Sequence, residues 1–323
     1  MIFFNDLSDI QFAGPSAVTI GKFDGLHRGH MKLLEAIKEK GEGCRRILLR
    51  ISPDSAPSIL DMEEFASLAG SMGIDMIVNC PFTEQLRMMT PETFIREILV
   101  GKLHASFVCV GEDFRFGRNR EGDASLLKKV CEGLGIGTGI VEKVCCRGSK
   151  ISSSAVRDAL REGKMELVCE LLGRPYCVTG TVVHGDHIGT GLGMPTINVL
   201  PAPDKLLPPY GVYYSKIRSE GETMNGITNV GVRPTVDGSQ CRTETYLYDV
   251  SEDLYGHPAR IQLLHFVRPE MKFSSLEELK TQAAHDMAEG REYFLEQGIM
   301  GCKPAAGGNG PDLPGGCRGG ELL

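Results

Sequence analysis

The chain has 323 residues, and at roughly 100 to 200 residues per domain this length predicts two domains and excludes a single small module. The formal net charge of −7 argues against a dedicated DNA-binding protein, because such a protein needs a basic patch that this composition does not indicate. The composition, with 41% hydrophobic and 24% charged residues, is typical of a soluble protein with a substantial core. The 40 glycines predict either close backbone approaches to ligands or a flexible segment.

The 11 cysteines are an odd number, and they show no CxxC or other spacing that is typical of a metal site. Reduced thiols in a cytoplasmic protein are the better interpretation. The first residues, MIFFNDLSDIQF, lack the basic segment of a signal peptide, and no stretch approaches the roughly 18 consecutive apolar residues of a membrane span. The sequence therefore predicts a cytoplasmic protein without a membrane partner.

Five short apolar runs in the first 150 residues predict strands buried on both faces of a parallel sheet. These runs are 17–20, 46–51, 76–82, 106–110 and 136–144. Four stretches between them predict helices, at 31–40, 62–71, 91–100 and 123–132. Thr90 is placed to cap the third helix, with Pro91 at its first position. The alternation predicts a doubly wound α/β domain that binds ligands beyond the carboxyl ends of its strands.

Two further helices are predicted at 153–163 and 165–172, the second ending at Gly173. After them, the alternation of strands and helices stops. Five strand-like runs then follow with Gly/Pro turns and no helix between them, at 177–183, 212–217, 223–232, 243–248 and 260–266. This pattern predicts a small antiparallel β-barrel.

A last amphipathic helix is expected to begin at Ser274, with Glu277 completing a capping box. Its inner face is expected to carry Leu276, Leu279 and Ala283. Residues 301–323 contain 8 Gly and 3 Pro with almost nothing to bury, which predicts a disordered tail. The predicted organisation is thus an α/β domain at 1–172, a barrel domain at 173–298 and a tail at 299–323.

The segment GKFDGLHRGH, residues 21–30, directly follows the first predicted strand and opens the first helix. Unpaired N–H groups and the helix dipole favour a phosphate at such a turn. His27 and His30 flank Gly29, where two imidazoles can donate hydrogen bonds to phosphate oxygens. Taken alone, the pair is equally compatible with surface or core histidines, or with an HxxH metal site.

Two further segments are expected at the same edge of the sheet. GEDFRFG, residues 111–117, follows the fourth predicted strand and places Asp113 and Arg115 there. KISSSAVR, residues 150–157, follows the fifth strand and combines three serines with Arg157 at a helix start. That combination is an anion cradle that ordinary helix capping does not explain.

These three motifs resemble those of the nucleotidyltransferase domain of bacterial bifunctional riboflavin kinase/FAD synthetases. The resemblance implies a domain that makes FAD from FMN and ATP with Mg²⁺, by in-line attack of the FMN phosphate on the α-phosphate of ATP. It implies that His27 and His30 are catalytic and hold ATP phosphates. The further ATP-binding residues that it implies are Gly21, Phe23, Asp24, Gly25, Gly29, Ser153, Ser154 and Arg157. The flavin-binding residues that it implies are Asp113, Phe114 and Phe116.

The barrel domain contains a glycine-rich segment, GTVVHGDHIGTGLGMPTINV, at residues 180–199. Such a loop allows backbone amides to wrap a phosphate chain. Thr196 and Asn198 alternate along a strand, so their oxygens face the same side. Two hard oxygen ligands beside phosphates suit Mg²⁺.

This segment resembles the riboflavin kinase signature of the same family, and the segments 229–238, 243–249, 253–256 and 267–282 match further motifs in the family's order. The likeness covers nearly all of 1–296. It implies that Glu244 is the base that deprotonates the riboflavin 5′-hydroxyl; without the surrounding motifs, a solvated strand glutamate would be the better interpretation. The other implied residues are Gly180, Gly185, Gly189 and Gly193 for ATP, Thr196 and Asn198 for the metal, and Arg233 for the flavin.

Two segments depart from the family pattern. ISPDSAP, residues 51–57, lacks the aromatic residue and the histidine of an FxPHP-type strand end, which bears on how the first domain holds flavin. The glycine-rich loop carries His187, Ile188, Thr190 and Gly191 where family members commonly have basic residues. Each charged hydrogen bond to a phosphate is worth about 1.5 to 3 kcal/mol, so this loop predicts an active but weak kinase.

The expected protein is therefore a bifunctional enzyme with riboflavin, FMN, FAD and ATP as small-molecule substrates or products and Mg²⁺ as cofactor. A FAD synthetase whose barrel no longer phosphorylates is one alternative, and a non-catalytic flavin or nucleotide sensor is another. Neither a nucleic acid nor a membrane is an expected partner, and the sequence leaves the oligomeric state open.

Overall fold

The structure, a computed structural model, describes residues 1–10, 12–52, 57–184, 196–235, 238–250 and 254–298. The chain divides into two compact units, Met1–Ser153 and Ser154–Leu323. The helices between residues 154 and 172 therefore belong to the second unit, whereas the sequence assigns them to the first domain. The functional boundary at 172 and 173 stays a prediction.

A six-stranded parallel sheet forms the centre of the first unit, with the spatial order β1-β4-β3-β2-β5-β8. The strands of this unit are β1 (Ile2–Phe4), β2 (Ser16–Gly21), β3 (Arg45–Ser52), β4 (Met76–Pro81), β5 (Ala105–Gly111), β6 (Arg115–Phe116), β7 (Gly122–Asp123), β8 (Gly137–Val141), β9 (Cys145–Cys146) and β10 (Ser149–Lys150). The five strands predicted for the sheet are confirmed. The edge strand β1 was not predicted, because three residues are too few to show a pattern.

Helices cover both faces of the sheet. They are α1 (Arg28–Lys40), α2 (Met62–Ser71), α3 (Glu84–Met88), α4 (Pro91–Thr93) and α5 (Ala124–Gly133), with short 3-10 turns at Leu7–Asp9 and Arg118–Arg120. Val18 of β2 packs in one apolar cluster with Phe94, whereas its neighbour Ala17 packs in another with Leu34 of α1. Successive strand residues point to opposite faces, so the two clusters confirm the doubly wound arrangement.

The third predicted helix begins as expected and continues differently. Thr90 Oγ1 accepts a hydrogen bond from the Thr93 amide at 3.2 Å, and Pro91 occupies the first turn. From Phe94–Lys102 the helix is π-helical, not α-helical, and the Leu103 amide donates to the Ile98 carbonyl at 2.9 Å. The sequence pattern does not distinguish these two windings.

A closed six-stranded antiparallel barrel dominates the second unit, in the order β11-β12-β15-β14-β13-β16, as the sequence predicts. Its strands are β11 (Tyr176–Val183), β12 (Thr196–Val199), β13 (Gly211–Ser219), β14 (Glu222–Thr235), β15 (Gly238–Leu247) and β16 (Pro258–Pro269). Thr228 Oγ1 lies 2.6 Å from Ser215 Oγ and 2.8 Å from Thr245 Oγ1 in the fully buried interior. These hydroxyls bond one another, which offsets the cost of removing them from water.

Three helices accompany the barrel: α6 (Ser153–Arg161), α7 (Met165–Leu172) and α8 (Leu276–Glu296). The predicted start of α8 is wrong by one residue, since Ser275 is the cap and its Oγ accepts from the Glu278 amide at 3.2 Å. The predicted inner face is also wrong at Leu276, which is 54% exposed. The buried positions of α8 are Asp286, Gly290 and Phe294.

Among the described residues, no helix combines the length and apolar character that crossing a bilayer requires. None of the nine cysteines in the described part of the chain forms a disulfide. The tail predicted at 299–323 lies outside the described residues.

Candidate functional site

A cavity of about 290 Å³ lies at the carboxyl ends of β2, β5 and β8 in the first unit. Strand β2 has β3 on one side and β5 on the other, and open α/β sheets bind ligands where the connections diverge in this way. The predicted residues that line the cavity are Gly21, His27, Gly29, His30, Asp113, Phe114 and Ser153. The structure thus brings three separate sequence motifs to one cavity.

The segment between β2 and α1 is a strained turn that is fixed by packing. Phe23 and Leu26 have φ angles of 50° and 41°, in the left-handed region that side chains rarely adopt. Both side chains are completely buried, so their surroundings determine this conformation. Gly25 has a φ of 84°, and a Cβ there would lie 3.0 Å from Ile59 Cδ1. The turn therefore needs glycine at position 25.

The two histidines stand together at the start of α1. His27 caps the helix, and its Nδ1 accepts a hydrogen bond from the His30 amide at 3.3 Å. A neutral His27 consequently carries its proton on Nε2, which can donate to a ligand oxygen. The rings stack with a centroid separation of 3.6 Å, and a Cβ at Gly29 would lie 3.2 Å from the His27 ring. This arrangement gives two imidazoles a fixed orientation beside the cavity.

Asp24 connects the turn to two other segments. Its Oδ1 accepts from the Ile59 amide at 3.0 Å, and its carbonyl accepts from Ser153 Oγ at 2.8 Å. Through these contacts, Asp24 and Ser153 hold the turn in place. The ATP-binding roles of Asp24 and Ser153 stay predictions.

The segment after β5 presents a charged group and an aromatic ring. Asp113 is paired with Lys150, whose hydrogen bond lowers the pKa of that carboxyl. Phe114 lines the cavity and stacks on Phe116 with a centroid separation of 5.3 Å. Phe116 itself is buried in the core against Phe94, so it supports Phe114 from behind. The flavin contacts of these residues stay predictions.

Three lysines at the cavity were not singled out from the sequence. Lys22 follows β2 directly, Lys143 follows β8, and Lys150 ends β10. Lys143 pairs with Glu112 at 3.3 Å. Lysines are common on protein surfaces, so the sequence gives no reason to select these three. They are seen to line one cavity once the ends of the strands are placed side by side.

The remaining predicted residues of the first site have different placements. Ser154 and Arg157 lie on α6, in the second unit. Residues 53–56 of the ISPDSAP segment lie outside the described residues. Arg50, just before them, is buried with its guanidinium 4.8 Å from the centre of the Phe65 ring.

A second cluster of predicted residues lies on the outer face of the barrel. Asn198 of β12 pairs in register with Glu244 of β15, and Thr196 Oγ1 donates a hydrogen bond to Glu244 Oε1 at 2.9 Å. Asn198 is 2% exposed, and its Oδ1 is buried without a hydrogen-bond partner among the described residues. The three residues that the sequence assigned to base and metal therefore form one group.

Two neighbours of Glu244 were not predicted. Asn229 of β14 pairs in register with Glu244, and its Nδ2 donates to Glu270 Oε1 at 3.3 Å. A Cβ at Gly231 would overlap Glu270 Oε1, so a glycine there makes room for this carboxylate. The register of β14 against β15 places Asn229 beside the predicted base, and Glu270 joins the group through its hydrogen bond from Asn229.

The predicted glycines and Arg233 are less well defined. A Cβ at Gly180 would lie 2.8 Å from Val199 Cγ1, which gives this glycine a packing reason within the barrel. Gly185, Gly189 and Gly193 lie outside the described residues. Arg233 belongs to β14 and pairs in register with Gln240. Their roles in binding ATP and flavin stay predictions.

A metal site built from histidine, cysteine and carboxylate side chains does not occur in the described part of the chain, where no group of three such residues is placed to hold an ion. The histidine pair is therefore not part of such a group.

Two family models match the chain, FAD synthetase over residues 9–155 and riboflavin kinase over residues 172–294. The bifunctional riboflavin kinase/FMN adenylyltransferase of Escherichia coli strain K12 is 38% identical over 289 residues, 86% of this chain and 92% of the relative. That of Listeria monocytogenes is 34% identical over 294 residues, with 86% and 92% covered. A crystal structure described as a macrolide-efflux protein from Streptococcus pneumoniae is 26% identical with a TM-score of 0.78, covering 90% of this chain and 98% of that one.

Proposed function

The chain belongs to the family of bifunctional riboflavin kinase/FMN adenylyltransferases, and we propose that it converts riboflavin to FMN and FMN to FAD, using ATP in both steps. The observation that supports this proposal is the presence of two separate groups of predicted site residues. The first unit holds the histidine cavity, and the barrel holds Glu244 with Thr196 and Asn198.

In the kinase step, Glu244 accepts the proton of the riboflavin 5′-hydroxyl. The 5′-oxygen forms a bond to the γ-phosphorus of ATP, and the bond from that phosphorus to the bridging oxygen of ADP breaks. The hydrogen bond from Thr196 orients the Glu244 carboxylate for this proton transfer. Catalysis here consists of positioning and of placing a base next to the attacking oxygen.

The residues around Glu244 fit Mg²⁺. Asn198 Oδ1 is an orphaned, buried acceptor, and Thr196 uses its only hydroxyl proton toward Glu244, which leaves lone pairs on its oxygen. Magnesium prefers a few protein oxygens together with phosphate oxygens. Thr196 and Asn198 would hold the ion, which neutralises negative charge on the ATP phosphates when bound.

In the adenylyltransferase step, an FMN phosphate oxygen attacks the α-phosphorus of ATP, and pyrophosphate leaves. His27 can donate from Nε2 to a phosphate oxygen, and His30 is stacked beside it. The lysines at positions 22, 143 and 150 add positive charge around the cavity. Preorganised donors of this kind stabilise the charge that develops on the phosphates.

One sequence observation favours a second candidate, an enzyme that only makes FAD from FMN. Residues 185–195, the segment expected to wrap the ATP of the kinase, contain no Lys or Arg. A loop without cations binds a triphosphate less well, so the kinase is expected to be the slower activity. A cytoplasmic location stays a prediction from the sequence.

The test is incubation of the purified chain with riboflavin, ATP and Mg²⁺, with the flavins separated by chromatography. FMN and FAD are expected from riboflavin. FAD from added FMN alone supports the second candidate, and unchanged flavins contradict both.

Matched variants assign the two sites. Glu244→Gln keeps the size of the side chain and a hydrogen-bonding group for Thr196 but removes the base, so FMN formation should fall by about 100-fold or more while FAD synthesis from FMN continues. The double change of His27 and His30 to Ala should do the reverse. A Glu244→Gln variant with unchanged FMN formation would show that the base lies elsewhere.

A further inference from the structure

Arg242 lies close to the predicted base on the same face of the barrel. It precedes Glu244 by two residues on β15, whose register against β14 is continuous from Gly226 to Thr235. Alternate residues of a strand point to the same side, so both side chains leave the outer face, roughly 7 Å apart along the strand. Thr243, between them, is completely buried in the interior.

Part of the Arg242 guanidinium is buried and has no partner among the residues that the structure describes. Its Nε and Nη1 atoms are buried and have no hydrogen-bond partner among the described residues. The neighbouring carboxylates are otherwise engaged, since Glu270 accepts from Asn229 and Glu244 accepts from Thr196. Arginine stays charged at any physiological pH, so these buried donors call for an anionic acceptor.

The strand opposite Arg242 carries a glycine at the paired position. Arg242 lies opposite Gly231, and the Glu270 carboxylate occupies the room that this glycine leaves. Asn198 Oδ1 is a second buried polar atom without a partner in the described part of the same face. Unsatisfied polar groups collected around one base indicate a site that a ligand completes.

The position of Arg242 distinguishes between the two substrates of the kinase. The glycine-rich segment 185–195 joins β12 at Thr196, which pairs with Tyr246. Arg242 lies on the other side of Glu244 along β15, away from that junction. It therefore lies on the side of Glu244 that is farther from the segment predicted to bind the nucleotide.

Resting on the kinase activity proposed above, we infer that Arg242 binds the phosphate that riboflavin acquires, and so distinguishes FMN from riboflavin in the barrel. Riboflavin is uncharged, and FMN carries its phosphate on the 5′-oxygen that Glu244 serves. The planar fork of N–H donors in arginine matches phosphate oxygens.

The experiment compares Arg242→Ala and Arg242→Lys with the unaltered chain in initial-rate phosphorylation of riboflavin. The inhibition constant of added FMN should rise about 10-fold or more in Arg242→Ala and by less in Arg242→Lys. The KM for riboflavin should change by less than about 2-fold, since the uncharged substrate lacks the phosphate. The KM for ATP is measured alongside, and a rise in it as large as that of the FMN constant overturns the assignment to the acceptor side.

Arg218→Ala is the matched control, because Arg218 lies on β13 and its Nε donates to Thr223 Oγ1 at 3.3 Å, in a row of the barrel that does not include Glu244. It should leave the FMN constant unchanged. Thermal unfolding separates binding from a structural role: removal of desolvated, unpaired donors should not lower the Tm of the ligand-free chain.

A lower Tm in Arg242→Ala with an unchanged FMN constant overturns the inference, as does an equal rise of the FMN constant and the riboflavin KM. If the unaltered chain forms no FMN, the kinase proposal fails together with this one. If it forms FMN and Arg242→Ala is inhibited as strongly as the unaltered chain, only the role of Arg242 fails.

Discussion

Gly29 determines how closely His27 can approach the start of α1. A Cβ at this position would lie 3.2 Å from two atoms of the His27 ring, which is closer than most real Cβ contacts. His27 is only 6% exposed and its ring is stacked on His30, so the ring has little space into which to move. The glycine is thus a condition for the geometry of the histidine pair, as well as for the helix start.

The change Gly29→Ala should therefore slow FAD formation from FMN by about 10- to 100-fold, because a displacement of a catalytic group by about 1 Å has effects of this size. Riboflavin phosphorylation in the barrel should continue at its usual rate. Both rates are measured on the same preparation by chromatography of the flavins.

Gly133→Ala provides the control for this change. Gly133 ends α5 in the same unit, and a Cβ there would meet nothing within 4 Å. It should leave FAD synthesis unaltered. Equal rates for Gly29→Ala and Gly133→Ala would contradict the proposed role of the His27 orientation.

At the scale of secondary structure elements, the start of α8 shows where a sequence pattern is ambiguous. Ser274 with Glu277 and Ser275 with Glu278 satisfy the same capping pattern one residue apart. In the structure Ser275 caps the helix, while the Ser274 amide and hydroxyl bond the Glu278 carboxylate at 2.8 and 2.7 Å. Phe294 and Gly290 pack against the barrel, and this packing fixes which face of the helix is buried. The residues around the helix start do not contain that information.

Loss of the cap is the test of this assignment. Ser275→Ala should lower the free energy of unfolding by about 1 kcal/mol, since it leaves the Glu278 amide without its acceptor. Urea unfolding followed by circular dichroism measures the change. Ser274→Ala, which removes only an exposed hydroxyl contact, should have a smaller effect, and the opposite order would restore Ser274 as the cap.

The elements of the two sites were predicted to different extents. The strand ends that carry His27 and Asp113 were located from apolar runs, because buried parallel strands leave a strong pattern and their carboxyl ends share one edge. Arg242 and Asn229 were missed because their significance depends on strand register in the barrel. Register is set by pairing between distant segments, so a single strand does not reveal which residues lie beside Glu244.

At the scale of the whole molecule, the two sites lie in different compact units, and the product of the barrel reaction is the substrate of the other. A substitution of Glu244 should therefore leave the site of His27 and His30 intact, and the reverse should also hold. The cysteines, in contrast, are distributed over both units and belong to neither proposed reaction. Their burial nevertheless makes a prediction about the folded chain.

Cys109 is completely buried, and desolvation raises the pKa of its thiol to about 12. Burial likewise raises the pKa of Cys80 and Cys131 to about 11. The thiolate is the reactive form, so these three thiols should resist iodoacetamide at pH 8 in the native protein, whereas the exposed Cys145 should react first. Mass spectrometry of the labelled peptides gives the order, and labelling in urea should abolish it because unfolding returns every thiol to water. Native labelling of Cys109 as fast as that of Cys145 would show that the core around β5 opens far more often than its packing allows.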